Sequence, residues 1–119
     1  MHVLILEKDA EFREHLAGRL ARLGHEVTSA EDAEEALACC HRSGLAVILV
    51  GLRLGGLDER TFLERVAHVC PEARVIGINH PKDVALSIEA MKRGVKDEVH
   101  PPVDIEDLDR RIRAAGRGD

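Results

Sequence analysis

The chain has 119 residues, a formal net charge of −5 and an apolar fraction of 45%, which suits one domain with an ordinary core and is too short for two. Phe12 and Phe62 are its only aromatic residues, which argues against a site that stacks bases, sugars or flavin rings. The mild acidity gives no electrostatic case for binding nucleic acid or an anionic membrane surface.

Val3–Leu6 is a short apolar run of β character. Phe12, Leu16, Leu20 and Leu23 then recur at helical spacing, and Gly24 stops that helix. His25–Ser29 reads as a strand with Val27 inside. Ser29-Ala-Glu-Asp32 has the form of a capping box, and Ala33, Ala36, Leu37 and Cys40 line the face of the helix behind it. Val47–Val50 is the most apolar run, as expected of a central strand covered on both faces.

A glycine-rich loop, Gly51–Leu57, follows. Asp58 can cap the next helix, which bears Phe62, Leu63 and Val66 and ends at Pro71. Val75–Ile78 is the fourth strand. A helix from about Asp83 to Arg93 carries Val84, Ile88 and Met91 on one face, with Gly94 as its stop. Val95–Val99 alternates apolar and polar residues, which suits a sheet edge. Asp104 caps a last helix whose Ile105, Leu108 and Ile112 face inward, with Val103 and Leu108 at staple positions.

Strands alternating with helices predict an α/β fold: a flavodoxin-like, doubly wound, five-stranded parallel sheet of order 2-1-3-4-5 with helices on both faces. Ligands of such sheets sit beyond the carboxyl ends of the strands at the switch point, here between strands 1 and 3. Glu7, Lys8 and Asp9 after strand 1 and Gly51 after strand 3 therefore frame the expected site. Residues 1–115 form the domain, and 116–119 read as a frayed tail or the start of a linker.

Several segments stand in a telling order: Val3-Leu-Ile-Leu-Glu-Lys-Asp9, Ala30…Glu35-Ala-Leu37, Val47–Asp58 with its Leu-x-Leu-x-Gly-x-Asp pattern, and Gly94-Val-Lys-Asp97 with Pro102. Together, over about Val3 to Ile112, they resemble the receiver domain of bacterial two-component response regulators. The resemblance implies phosphoryl transfer to an aspartate at the end of strand 3. Two acids after strand 1 help hold Mg²⁺. A Ser or Thr after strand 4 and a Lys before the proline contact the phosphoryl group, and an aromatic in strand 5 reports the switch.

Carried over position by position, the first acid is Glu7, one methylene longer than usual. The second is Lys8, a cation. The acceptor position is Gly51, the hydroxyl position is Asn79, the lysine position is Pro101 and the aromatic position is Glu98. Glycine offers no carboxylate for an acyl phosphate. One Glu beside a Lys is a poor host for Mg²⁺, which wants several hard oxygens. No cofactor is therefore expected, and Mg²⁺ binding should be weak or absent. One expectation for Lys8 is that its ammonium fills the vacated metal position and pairs with Glu7, Asp9 or Asp58. The other is a solvated loop lysine.

Remaining features have structural readings. Cys40 lies on an apolar helix stripe, so Cys39-Cys40-His41 is read as core plus surface and not as a metal site. Three cysteines at irregular spacing suggest no disulfides and a reducing compartment. His80 and His100 follow strands 4 and 5 and are read as loop histidines bordering the mouth. Gly51, Gly55 and Gly56 lack the lysine and spacing of a phosphate loop. In the last helix Asp104, Glu106, Asp107 and Asp109 precede Arg110, Arg111 and Arg113, which suits the helix dipole. With Glu89, Lys92, Arg93, Lys96 and Glu98 they also form a mixed-charge face of the kind that docks partners in the family.

The expected function is an atypical, non-enzymatic receiver that acts independently of phosphorylation as a protein-interaction or dimerisation module. Its expected partners are a signalling kinase, a regulator or an effector domain, or a second copy, with no direct role for nucleic acid or membrane. No apolar run approaches membrane-spanning length and no signal-peptide layout is present, so the cytoplasm is the expected location. Two alternatives remain: a receiver phosphorylated on Asp9 or Asp58, and a small-molecule binder using Glu7 and Lys8 in the crevice.

Overall fold

A computed structural model describes residues 1–41, 44–53 and 59–118, with only the backbone of Glu59. Strands and helices alternate: β1 (His2–Leu6), α1 (Ala10–Arg22), β2 (Glu26–Ala30), α2 (Ala33–Cys39), β3 (Leu45–Gly51), α3 (Glu59–Val69), β4 (Arg74–Ile78), α4 (Val84–Lys92), β5 (Val95–Val99) and α5 (Ile105–Gly116). The strands form one parallel sheet in the order β2-β1-β3-β4-β5. This is the flavodoxin-like, doubly wound arrangement expected from the sequence.

The pleat divides each apolar run between two cores. Leu4 and Leu6 of β1 and Ile48 and Val50 of β3 pack with Ala36, Phe62, Val66 and Ala90 of α2, α3 and α4. Val3, Ile5, Val47 and Leu49 pack with Leu16, Leu20, Leu108 and Ile112 of α1 and α5. Both faces being buried, the central strands need no polar alternation, and Val47–Val50 has none. Gly24 and Gly94 stop their helices with φ of 95° and 104°, a region that other residues rarely adopt.

Three local expectations are corrected. The N-cap of α2 is Asp32, whose carboxylate accepts the Glu35 N–H at 2.8 Å, while Ser29 lies in β2. Leu23 is 38% exposed as the C-cap of α1 and leaves the apolar face assigned to it. Val84, Ile88 and Met91 do share a face of α4, but it is turned to solvent, with 59%, 50% and 54% exposure. That helix is apolar nearly all round, so periodicity does not choose a face, and the smaller Ala90 meets the core. At the end of the domain α5 continues to Gly116, and the Arg117 and Gly118 N–H groups bond to Arg113, Ala114 and Ala115 carbonyls.

Immediately after Gly51 the chain is pinned. Leu52 is fully buried, and its N–H bonds the Ile78 carbonyl at 3.0 Å. A Cβ on Gly77 of β4 would lie 3.0 Å from a Leu52 methyl group, so Gly77 makes room for that side chain. The end of β3 is thereby held against β4.

A polar clamp ties the α1–β2 turn to α5. The buried His25 donates from Nε2 to the Asp109 carboxylate at 2.6 Å. Arg113 donates to Asp109 at 3.0 Å and to the Leu23 carbonyl at 2.7 Å. Partial burial opposes ionisation of Asp109, but the hydrogen bonds from His25 and Arg113 outweigh it and hold the carboxyl below its usual range. The resulting stabilisation is present above the unfolded carboxyl pKa of about 3.9 and is lost as pH falls through the folded value. Asp109→Asn should lower the urea midpoint at neutral pH. The gap to the native chain should close as pH falls below about 4.

Candidate functional site

The carboxyl ends of β1, β3, β4 and β5 converge at the switch point, and the expected site residues lie there. Leu6 of β1 stands beside Val50 of β3, so Glu7 follows next to Gly51. The Glu7 Oε2 accepts the Asp9 N–H at 2.7 Å, and its carbonyl accepts from Arg13 at 2.7 Å. Asp9 is the N-cap of α1, its carboxylate accepting the Phe12 N–H at 3.1 Å. Lys8 is exposed, and among the described residues it forms no ion pair with Glu7 or Asp9. That exposure accords with a solvated loop lysine, while the expected pairing with Asp58 lies outside the described residues. Asp58, like Gly55 and Gly56, lies outside the described residues.

Around β4 and β5 the site is a chain of hydrogen bonds. The buried Asn79 donates from Nδ2 to the Asp83 carbonyl at 2.9 Å and to the Ser87 hydroxyl at 3.0 Å. Ser87 donates in turn to Glu98 Oε2 at 2.8 Å. His100 donates from Nδ1 to the Asn79 carbonyl at 2.8 Å, and the same nitrogen is 3.7 Å from Glu98 Oε2. Only 9% of the Glu98 side chain is exposed. Glu98 Oε1 and Asn79 Oδ1 have no hydrogen-bond partner among the described residues. Arg53 reaches from the end of β3 to the Asp83 carboxylate at 2.8 Å, so the β3 end and the start of α4 are linked.

Sequence reasoning named Asn79 and Glu98 but missed Ser87 and Asp83 as their partners. The available signal was a serine four residues after a capping acid, flanked by apolar residues on its helix. Pro101 and Pro102 are joined by a cis peptide bond and border an apolar crevice with Phe12, His15, Leu16 and Val103. His80 accepts the Lys82 N–H at 3.2 Å and stays a loop residue.

The donor set does not fit Mg²⁺. Among the described residues only Glu7 and Asp9 bring carboxylates to the β1 end. One Glu7 oxygen is held by a backbone N–H, and Asp9 is committed to its cap. Mg²⁺ takes near-octahedral oxygen coordination. In the trio Glu31, Asp32 and Glu35, the Asp32 and Glu35 carboxylates are likewise taken up by backbone N–H groups at the start of α2. The three cysteines are free, and burial, with Cys70 and Cys39 adding, pushes the Cys40 thiol up to about 11, so it packs as an inert core residue.

A family model for the response regulator receiver domain matches residues 3–113. The chain belongs to that family. Its sequence is 33% identical to the two-component response regulator PhoP of Pseudomonas aeruginosa, over 96% of this chain and 51% of that protein. It is 32% identical to the probable transcriptional regulator ycf27 of Guillardia theta, over 97% of this chain and 45% of that protein. The receiver thus spans about half the length of these curated relatives. Among solved structures, the receiver domain of NtrX from Brucella abortus superposes with a TM-score of 0.89 at 25% identity, covering 98% of this chain and 99% of that one. A receiver domain protein from Clostridium thermocellum gives 0.90 at 22% identity, with coverage of 98% and 94%. No described helix is long and apolar enough to cross a membrane.

In this receiver Ser87 is the joint of the polar chain. Ser87→Ala should cost about 1–3 kcal/mol, because it strips a donor from a largely buried carboxylate. Adding Glu98→Leu should recover part of that loss, since no buried charge then lacks its partner. Urea unfolding of the two variants checks both signs.

Proposed function

We propose that this receiver acts as a phosphorylation-independent protein-interaction or dimerisation module in two-component signalling, with no enzymatic activity of its own. The observation that carries the reading is Gly51. The residue at the carboxyl end of β3, where the family places its acceptor aspartate, has no side chain to phosphorylate. The surroundings agree with it. Lys8 adds a cation where the family needs an anion, Asn79 is bound up with α4, and Pro101 supplies neither charge nor N–H.

The exposed face of α4 suits a docking role. Val84, Ile88 and Met91 present an apolar stripe at i, i+4 and i+7. Beside it, Arg60–Glu89 and Arg93–Glu64 pairs join α3 to α4. A kinase, a regulator, an effector domain or a second copy, met in the cytoplasm, is the class of partner such a face fits. Asp9 is a poor substitute acceptor because its carboxylate caps α1.

An amide chemical-shift titration with Mg²⁺, then with beryllofluoride, tests this reading. The expected result is no saturable change at Glu7, Gly51 and Asn79. Saturable shifts there would overturn it and make Asp9 and Asp58 the first acids to replace.

A further inference from the structure

Glu7 and Gly51 are neighbours on one face of the sheet, because β1 and β3 pair with Leu6 beside Val50. Val3 and Ile5 in one strand, and Val47 and Leu49 in the other, put that face on the α1 and α5 side. A Cβ added to Gly51 would overlap the Glu7 carboxylate oxygen Oε1 and lie 3.1 Å from Glu7 Cδ. The backbone raises no objection: the nearest main-chain atom is the Leu6 carbonyl oxygen at 3.6 Å, an ordinary contact. Gly51 is not among the glycines with positive φ. Among the described residues, only the Glu7 side chain stands where a side chain at 51 would begin.

The other oxygen of that carboxylate is held. Glu7 Oε2 accepts the Asp9 N–H at 2.7 Å, and Asp9 in turn caps α1. The two oxygens thus divide their roles, one fastening the β1–α1 loop and one filling the space before Gly51. The extra methylene of glutamate over aspartate lengthens the reach from β1 by one carbon. Hydrogen bonds to a carboxylate are among the stronger ones, so the carboxylate is not idly placed.

We propose that Glu7 is a built-in occupant of the acceptor pocket, whose carboxylate takes, from the neighbouring strand, the space that a residue-51 side chain would use. The proposal rests on the reading of Gly51 as a lost acceptor, and adds that the vacancy is filled by the chain itself. The pocket is then filled by a side chain of the chain itself, and the β1–α1 loop is fastened by the group that fills it. Gly51 is required for that fastening: any larger residue pushes Glu7 out and releases the Asp9 N–H.

The test is a set of amide spectra of the full chain carrying Gly51→Ala, Glu7→Ala or both. The backbone leaves room for a methyl group at 51 and the Glu7 terminus is flexible, so Gly51→Ala should fold; a thermal melt confirms it. Gly51→Ala should move the Asp9 amide proton upfield, as expected for a lost hydrogen bond to a carboxylate. Glu7→Ala should do the same, and with Glu7→Ala in place the change at 51 should move Asp9 no further. An Asp9 amide that ignores Gly51→Ala, or that responds equally with and without the Glu7 side chain, overturns the proposal. The beryllofluoride titration of the native chain is a separate readout. If it is silent while Asp9 is unresponsive, only the occupant fails, whereas saturable binding defeats the phosphorylation-independent reading whatever Asp9 does.

Discussion

Parallel pairing of β1 with β3, in the register that sets Leu6 beside Val50, is the constraint on which this receiver depends. It joins the two halves of a doubly wound sheet and gives each apolar strand two covered faces. Leu4 and Leu6 go to the core under α2, α3 and α4, and Val3 and Ile5 go to the one under α1 and α5. The same register delivers Glu7 and Gly51 side by side at the switch point. A slip of one residue would turn every one of these side chains to the opposite face. Core and site are therefore fixed by a single pairing.

On the proposed reading, what stands at that point differs from a phosphoryl-transfer site in the charges and atoms available. A carboxylate comes from β1 instead of β3, and it is already engaged with the Asp9 N–H. On the far side, where the same reading sets the family's hydroxyl and strand-5 aromatic, stand Asn79 and Glu98, joined through Ser87. A loose switch needs two arrangements of similar energy, whereas a largely buried carboxylate with few alternative donors favours one. The polar chain ties α4 to β4 and β5, and Arg53 ties the β3 end to the same helix. The exposed α4 stripe is thus carried on a helix anchored at its N-terminal end.

Much of this was legible from residues alone. Strand order and the two-faced burial followed from short apolar runs alternating with helical periodicity, because parallel strands have no polar face to obscure. Gly24, Gly94, Asp83 and Asp104 marked helix ends through local chemistry that tertiary structure did not override. The α4 face was not legible, since apolar residues occur on most sides of that helix and only its packing shows that Ala90 is the residue that meets the core. Nor was the cap of α2, where Ser29 and Asp32 both qualify and β2 claims the serine. The roles of Ser87 and of the Glu7 carboxylate depend on which side chains meet across elements, which no spacing records. Lys8 has two reasonable destinations in sequence, and spacing alone does not choose between them; its side chain is exposed.

The central claim is that this receiver does not take a phosphoryl group. It is tested most directly by intact-mass spectrometry after incubating the chain with acetyl phosphate and Mg²⁺. The account predicts an unmodified mass at every time point. A phosphoryl adduct that hydroxylamine removes, as it removes acyl phosphates, would contradict it.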